Sequence, residues 1–162
     1  MNKLKTVFVD RDGVINQERS DYVKSISELE IYPNVAKNIK LLKDAGFLVV
    51  VITNQSAVNR GIVTHETINQ IHNSIQDHLK KYGTFLDGFY YCPHTPNENC
   101  NCRKPKSGLL QQAILELNID LNSSWMIGDR DSDIEAANSI GCKAIKINDN
   151  FSLDNAVEKI LN

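Results

Sequence analysis

The sequence VFVDRDG, residues 7–13, joins a short β-branched run to two acidic residues and a glycine. The apolar run predicts a buried strand over Thr6–Val9. Open parallel sheets bind their ligands at the carboxyl ends of strands, which is where Asp10 and Asp12 would lie. Two such carboxylates can divide chemical work, because one can attack or bind a metal while the other transfers protons. For this stretch taken alone, an ordinary acidic turn or a calcium loop is the alternative.

Outward from this stretch, short β-branched runs alternate with amphipathic segments. The pattern predicts an α/β fold with three layers, in which helices cover both faces of a central parallel Rossmann-like sheet. We expect one domain over residues 1–162, with minimal or no cap. The further predicted strands are Leu48–Thr53, Phe85–Tyr91, Ser124–Ile127 and Lys143–Ile147, and the predicted helices are Asn34–Ala45, Thr64–Tyr82, Ser107–Asn118 and Ser152–Leu161.

Length and charge limit the classes of partner. The 162 residues are 41% hydrophobic, which is enough apolar material for the core of one domain. A net charge of -2 gives no electrostatic attraction to nucleic acid or to an anionic membrane. No apolar stretch approaches the ~20 residues that cross a bilayer, and the N-terminus does not resemble a signal peptide. We therefore expect a cytoplasmic monomer that binds a small molecule.

Two later segments carry groups suited to phosphate. Thr53, Asn54 and Gln55 follow a buried strand and offer a hydroxyl and two amides, which can hold phosphoryl oxygens. Lys104 lies in the basic segment 103–106 and could offset charge on a phosphoryl group. Taken singly, a threonine at a strand end is more often a turn residue, and a basic tetrapeptide is more often solvated surface.

A second acidic stretch, DRDSD at residues 129–133, follows the apolar run 125–128. Magnesium prefers oxygen ligands in octahedral geometry. Asp10, Asp129 and the backbone carbonyl of Asp12 would suit it, with water and phosphate completing the shell. Asp133 could orient these ligands from behind or cap a helix, and the sequence leaves both roles open.

Three cysteines and a histidine lie close together between residues 92 and 102. Cys92, His94, Cys100 and Cys102 are a complete tetrahedral set for zinc, with no position left for a catalytic water. We predict a structural zinc site that fixes the direction of the cations that follow it.

The remaining cysteine and three histidines are predicted to have no role in a site. Cys142 stands apart and is predicted to be a small core residue. His65, His72 and His78 share one predicted helix without ligand spacing, and we expect all three to be solvated.

Four segments resemble the motifs of the haloacid dehalogenase (HAD) superfamily, in the same order and across nearly the whole chain. They are VFVDRDG (7–13), ITNQ (52–55), CRKPK (102–106) and IGDRDSD (127–133). The resemblance implies a sheet with the first strand at its centre and a magnesium-dependent phosphatase. It further implies that Asp10 attacks phosphorus, that Asp12 protonates the departing oxygen and then activates water, and that Thr53 and Lys104 hold the phosphoryl group.

The cysteine loop narrows the resemblance to the histidinol-phosphatase-like branch. With it, DYV (21–23), ITNQSAVNRG (52–61) and YYCPH (90–94) look most like the heptose bisphosphate phosphatases of that branch, which act in lipopolysaccharide heptose biosynthesis. That likeness implies the 7-phosphate of D-glycero-D-manno-heptose 1,7-bisphosphate as the group removed. Asp21 and Arg130 depart from the heptose pattern, and the spacing from His94 to Cys100 is similar to that of histidinol-phosphate phosphatases, so histidinol phosphate stays as the alternative.

The two substrates make different demands on the surrounding residues. A bisphosphate needs a second cationic site, whereas histidinol phosphate needs an acid for its ammonium, for which Asp21 is the candidate. A phosphate-accepting receiver or a binding module without turnover is the alternative from another class. The predicted substrate-binding residues are Arg19, Ser20, Asp21, Tyr22, Asn54, Gln55, Arg60, Arg103 and Arg130.

Overall fold

The structure, a computed structural model, describes residues 2–162. Its centre is a parallel sheet of five strands in the order β3-β2-β1-β4-β5. The first strand is therefore central, as the resemblance implies. The strands are β1 (Thr6–Val9), β2 (Leu48–Asn54), β3 (Gly88–Cys92), β4 (Trp125–Gly128) and β5 (Lys143–Lys146).

Five helices connect and cover the strands, and three short 3-10 turns lie between them. The helices are α1 (Val35–Asp44), α2 (His65–Lys80), α3 (Gly108–Leu117), α4 (Asp131–Ser139) and α5 (Leu153–Leu161). Helix α2 begins where Thr64 accepts a hydrogen bond from the backbone of Thr67, which satisfies one of the free N–H groups of the first turn. Among residues 2–162, no helix is both long and apolar enough to cross a membrane.

The sheet separates two apolar clusters because neighbouring residues of a strand point to opposite faces. Val7 and Val9 of β1 pack on one face with α1, α2 and α5, while Phe8 packs on the other with α3 and α4. The predicted three-layer α/β fold is thus confirmed, and Cys142 is buried in the second cluster as predicted.

Strand β3 begins at Gly88, three residues later than predicted. Asp87 is the reason, because its carboxylate accepts the Val49 N–H at 2.8 Å and pairs with Lys43 at 2.6 Å. The Val49 N–H therefore donates to a side chain and is not available to a backbone carbonyl of β3. The ladder with β2 starts only at Val50 and Gly88.

The sequence indicates a possible start for helix α4, through a cap at Asp133, but helix α4 is not among the predicted helices. Its buried residues are Asp133, Ala136 and Ala137, so it lacks the broad stripe of large apolar residues that marks the other helices. Two alanines allow the helix to lie close to β4 and β5 instead.

Candidate active site

The carboxyl ends of β1, β2 and β4 meet the start of α3 around a cavity of about 590 Å³. The parallel topology brings Asp10, Thr53 and Asp133 to this edge from three separate parts of the chain. Lys104 joins them from the loop before α3. These four residues form the floor of the cavity, and none is more than 6% exposed.

Lys104 binds two carboxylates of the floor at once. Its Nζ donates to Asp10 Oδ1 at 2.9 Å and to the Ile52 carbonyl at 2.7 Å, and it lies 2.6 Å from Asp133 Oδ1. Burial disfavours a charged lysine, but the two carboxylates outweigh it and raise the pKa of Lys104. Burial also raises the pKa of Asp10 to about 7, with Asp133 adding to the effect and Lys104 opposing it. The ammonium is therefore fixed beside the predicted nucleophile.

Three side chains hold the carboxylate of Asp12. Arg11 Nη2 and Asn16 Nδ2 donate to Oδ1 at 3.1 and 3.0 Å, and Gln55 Nε2 donates to Oδ2 at 2.7 Å. Burial would raise the pKa of Asp12, but the Arg11 charge and these hydrogen bonds outweigh it and lower the pKa. Both oxygens are therefore placed by the protein itself, which pre-organises the group for a substrate.

Asp129 supplies a carboxylate that faces Asp10 without a partner. One oxygen each of Asp10, Asp129 and Asp133 lies within 4.8 Å of the others, and Asp129 Oδ1 is buried with no hydrogen bond from residues 2–162. Burial, and then the charge of Asp133, raise the pKa of Asp129. Gly13 allows the close approach, because a Cβ there would lie 2.0 Å from Asp129 Oδ2. Crowded carboxylate oxygens with an unpaired lone pair fit a magnesium ion.

Asp133 takes one of the two roles that the sequence left open, the helix cap, and also contacts Lys104. Its Oδ2 accepts the backbone N–H of Arg130 at 3.1 Å, which caps helix α4, while Oδ1 faces Lys104. Gly128 makes room for it, because a Cβ on that residue would lie 2.3 Å from the Asp133 side chain. Asp133 thus fixes both the start of α4 and the Lys104 ammonium.

The residues after β2 hold their neighbours in place. Asn54 forms a pair of hydrogen bonds with the backbone of Lys104, at 3.0 and 3.1 Å. Gln55 Nε2 bridges Thr53 Oγ1 and Asp12 Oδ2. Asn54 and Gln55 line the cavity, but these contacts direct their amides to the protein. Thr53 remains beside Asp10 on the floor.

The loops that surround the cavity form its rim, and their side chains range from exposed to buried. Of the predicted substrate-binding residues, all except Asp21 line it: Arg19, Ser20, Tyr22, Asn54, Gln55, Arg60, Arg103 and Arg130. Glu18, Val23 and Ser56 also line it and were not predicted. Asp21 instead directs its carboxylate to Arg19 at 3.1 Å and to Lys24 at 2.8 Å.

The four arginines of the rim differ in how they are paired. Arg130 pairs with Glu18, and Arg19 pairs with both Asp21 and Glu28. Arg60 and Arg103 form no ion pair among residues 2–162. Their polar contacts are to uncharged groups, Ser56 Oγ for Arg60 and the His94 carbonyl for Arg103. These two guanidinium groups are therefore the ones able to take an anion without breaking an existing pair.

The predicted metal loop brings its four side chains together. Sγ of Cys92, Cys100 and Cys102 and Nδ1 of His94 all lie within 4.8 Å of one another, and no cysteine is in a disulfide. The contacts include 3.1 Å from Cys102 to Cys92 and 3.3 Å from Cys92 to His94. Zn–S bonds of about 2.3 Å place the sulfurs of a tetrahedral site about 3.8 Å apart, so the four side chains are somewhat closer together here than around a bound zinc ion. The cluster can hold a metal ion, and soft thiolates favour zinc.

The prediction for His72 was wrong, whereas Arg11 and Asn16 were not singled out. His72 is 5% exposed, and its Nε2 lies 3.2 Å from Nη1 of the fully buried Arg11. The signal was present in the sequence, because His72 lies at helical spacing from Ile68 and Ile75 on the buried stripe of α2. Burial, with the Arg11 charge, lowers the pKa of His72 to about 3.

Comparisons with known proteins agree with this geometry. The HAD-hydrolase-like family model matches residues 101–160. The chain is 42% identical over 146 residues to the D-glycero-beta-D-manno-heptose-1,7-bisphosphate 7-phosphatase of Haemophilus ducreyi, covering 86% of this chain and 80% of that protein. The Helicobacter pylori phosphatase of the same name is 43% identical over 137 residues, covering 84% and 79%.

A solved structure resembles the fold over almost its full length. It is the D,D-heptose 1,7-bisphosphate phosphatase from B. bronchiseptica complexed with magnesium and phosphate, with a TM-score of 0.90, 30% identity and 98% of each chain covered. The identity and coverage of these relatives exceed what a shared fold alone would give. The chain is thus a member of the HAD superfamily of phosphatases, in the family that contains the heptose bisphosphate phosphatases.

Proposed function

We propose that this phosphatase removes phosphate through an aspartyl-phosphate intermediate formed on Asp10. The observation that carries the proposal is the Asp10 carboxylate, which is buried at a strand end with the Lys104 ammonium 2.9 Å away. Asp10 attacks phosphorus, and the bond to the leaving oxygen breaks as protonated Asp12 gives that oxygen a proton. Because the pKa of Asp12 is lowered in the free protein, Asp12 takes up this proton as the substrate binds. Asp12 then takes a proton from water, which attacks the phosphoryl group and frees Asp10.

We propose a magnesium ion between Asp10, Asp129 and the Asp12 carbonyl. The unpaired Oδ1 of Asp129 supports this position. When bound, the ion would neutralise part of the repulsion between the Asp10 carboxylate and the phosphate. Lys104 stabilises the same charge from the other side, and Thr53 donates its hydroxyl to a phosphoryl oxygen.

The proposed substrate is a D-glycero-D-manno-heptose 1,7-bisphosphate, hydrolysed at its 7-phosphate. The names of the relatives support the substrate class. The rim supports it independently, because Arg60 and Arg103 carry unpaired charges above a site that already has its own cation for the reacting phosphate. A second phosphate, held by these guanidinium groups, would complete that arrangement.

Histidinol phosphate has less support from the rim. Asp21, the candidate partner for its ammonium, is paired with Arg19 and Lys24 and does not line the cavity. Glu18 does line it but is paired with Arg130. An ammonium would therefore have to compete with an arginine already in place.

We propose that the metal loop, residues 92–102, holds zinc through its four ligands in a structural role. The loop packs on the start of α3, where a Cβ on Gly108 would lie 2.3 Å from the Asn101 carbonyl. The same segment continues into Arg103 and Lys104. A metal there would fix one residue of the rim and one of the floor together.

Substrate comparison tests the proposal. We expect turnover of the α or β heptose bisphosphate, in the presence of magnesium, to exceed turnover of histidinol phosphate in kcat/KM by at least about tenfold, or 1.4 kcal/mol in transition-state binding. A tenfold preference for histidinol phosphate would overturn the substrate. No magnesium-dependent hydrolysis of any phosphomonoester would overturn the activity itself.

A further inference from the structure

His72 and Arg11 form a buried pair beneath the active site that the reaction above does not use. The imidazole Nε2 lies 3.2 Å from Arg11 Nη1. The ring stacks on Phe89 with centroids 4.4 Å apart and planes inclined by 14°, and Tyr91 meets its edge. The ring is therefore held in one orientation by packing as well as by the arginine.

The direction of the hydrogen bond follows from the chemistry of the partners. A guanidinium has only donors, so His72 Nε2 must accept from Arg11 Nη1. The imidazole is then neutral and carries its proton on Nδ1. Burial and the neighbouring Arg11 charge, which lower the pKa of His72, favour the same state.

Arg11 also hydrogen-bonds to Asp12, so the position of its guanidinium affects the position of the Asp12 carboxylate. Its Nη2 donates to Asp12 Oδ1 at 3.1 Å, and its backbone N–H donates to Asp10 Oδ1 at 2.8 Å. Arg11 Nε has no hydrogen-bond partner among residues 2–162. The guanidinium is thus held at its two Nη atoms only, by His72 on one side and by Asp12 on the other.

We propose that His72 is a positioning residue for the proton-transfer step, acting through Arg11 on the carboxyl group of Asp12. Without an acceptor at His72 the guanidinium can turn, and Asp12 loses one of the two donors on Oδ1. The carboxyl group would then no longer be directed at the leaving oxygen when it carries the proton. The inference rests on the proposed function, in which Asp12 is the general acid.

A comparison of substrates with different leaving groups distinguishes this role from a general loss of structure. An alkyl oxygen needs a proton as it departs, whereas a 4-nitrophenolate leaves readily without one. The ratio kcat/KM reports the steps up to departure of the leaving group, so the later hydrolysis of the phosphoenzyme does not obscure the comparison. A misplaced Asp12 lowers kcat/KM for an alkyl phosphate alone, whereas partly unfolded protein lowers both values by one factor.

The test compares wild type with H72F, H72Q and the control H78F. Phenylalanine keeps the stacked ring but removes the acceptor, while the Oε1 of glutamine can restore it. His78 lies on the same helix, against Tyr82 and away from Arg11. The substrates are 4-nitrophenyl phosphate and whichever alkyl phosphate wild type hydrolyses better, heptose bisphosphate or histidinol phosphate. If H72F does not fold, H72L takes its place.

For H72F we expect kcat/KM on the alkyl phosphate to fall at least about tenfold and on 4-nitrophenyl phosphate less than about twofold. H72Q should recover most of the alkyl activity, and H78F should match wild type. Equal falls on both substrates, or an H72Q as impaired as H72F, would overturn the inference while leaving the proposed function intact. Wild-type protein inactive on both substrates would overturn the proposed function, and this inference with it.

Discussion

The floor and the rim of the cavity are built differently. The floor, with Asp10, Thr53, Lys104 and Asp133, is buried, and Lys104 binds both aspartates. The four arginines of the rim lie on loops and are exposed or half-buried, and two of them are already neutralised by acids. Residues in a buried floor joined by hydrogen bonds and ion pairs act together, whereas each rim residue acts on the part of the ligand it touches. The floor should therefore decide whether phosphate is transferred, and the rim should decide from which molecule.

Substitution of Asp10, the proposed nucleophile, should abolish the activity of the floor. We expect D10N to lower kcat on every phosphomonoester by at least roughly 10³-fold, because an amide cannot form the acyl phosphate. Steady-state assays with 4-nitrophenyl phosphate measure it. The matched control is D21N on the rim, whose carboxylate does not line the cavity and which should retain kcat within about twofold of wild type. Substantial activity in D10N would remove Asp10 from its role.

Loss of one ligand of the metal loop should disturb the floor and the rim together. We expect C102S to lower the free energy of unfolding by at least about 3 kcal/mol, or roughly 6–12 °C in Tm for a chain of this length. Zinc content should fall from one per chain to none. Calorimetry and metal analysis of protein purified without chelators measure the two effects.

The control for that substitution is C142A, which removes a buried thiol from outside the cluster. It should cost about 1 kcal/mol and leave the zinc content unchanged. Wild-type protein without bound zinc would contradict the metal assignment.

Truncation of rim arginines should change specificity without breaking the floor. We expect R60A and R103A each to lower kcat/KM on the heptose bisphosphate by about 10- to 100-fold, since each removes a charge-assisted contact to the second phosphate. On 4-nitrophenyl phosphate the change should be less than about threefold. R19A is the matched comparison, because Asp21 and Glu28 already neutralise Arg19, and its effect on the bisphosphate should be smaller. Equal losses on both substrates would place these arginines in the floor.

The last effect is absent at neutral pH and concerns stability in acid, through the histidine beneath the floor. The pKa of His72 is lowered from its ordinary value of 6.5 to about 3, so below pH 6.5 the unfolded chain binds a proton that the folded chain does not. Stability should therefore fall as the pH drops from 6.5 toward 3, by at most about 1.4 kcal/mol per pH unit from this group.

Denaturation of wild type and H72F between pH 6.5 and about 5 isolates the contribution, since Asp12, whose contact with Arg11 the substitution disturbs, stays ionised there in both proteins. The free energy of unfolding of H72F should depend less steeply on pH. Parallel curves for the two proteins would show that His72 is protonated in the folded state or solvated.

Sequence reasoning predicted the floor better than the rim, and the reason is topological. The ends of parallel strands meet at one edge of a sheet, so the sequence alone was enough to place Asp10 and Thr53 together. The four side chains of the metal loop could be grouped from their spacing alone. Pairing on the rim depends on loop conformation, so the sequence could not show that Asp21 points to Lys24 and away from the cavity.

Two further features were missed for different physical reasons. Helix α4 packs through two alanines and buries no large apolar residue, so its sequence shows almost no apolar periodicity. His72 was predicted to be solvated because histidine usually lies on the surface. Its spacing from Ile68 and Ile75 nevertheless places it on the buried face of α2. The Arg11 side chain that offsets its burial comes from a residue 61 positions away, a distance no local pattern spans.

The most direct test of the central claim is to find the phosphoryl group on the enzyme. Protein mixed with magnesium and excess substrate, quenched in acid within one turnover and digested, can be mapped by mass spectrometry. We predict one phosphoryl group, on the peptide that contains the VFVDRDG stretch and specifically at Asp10, and none in D10N. Phosphate carried by another residue, or rapid turnover with no phosphorylated peptide at any quench time, would contradict the account.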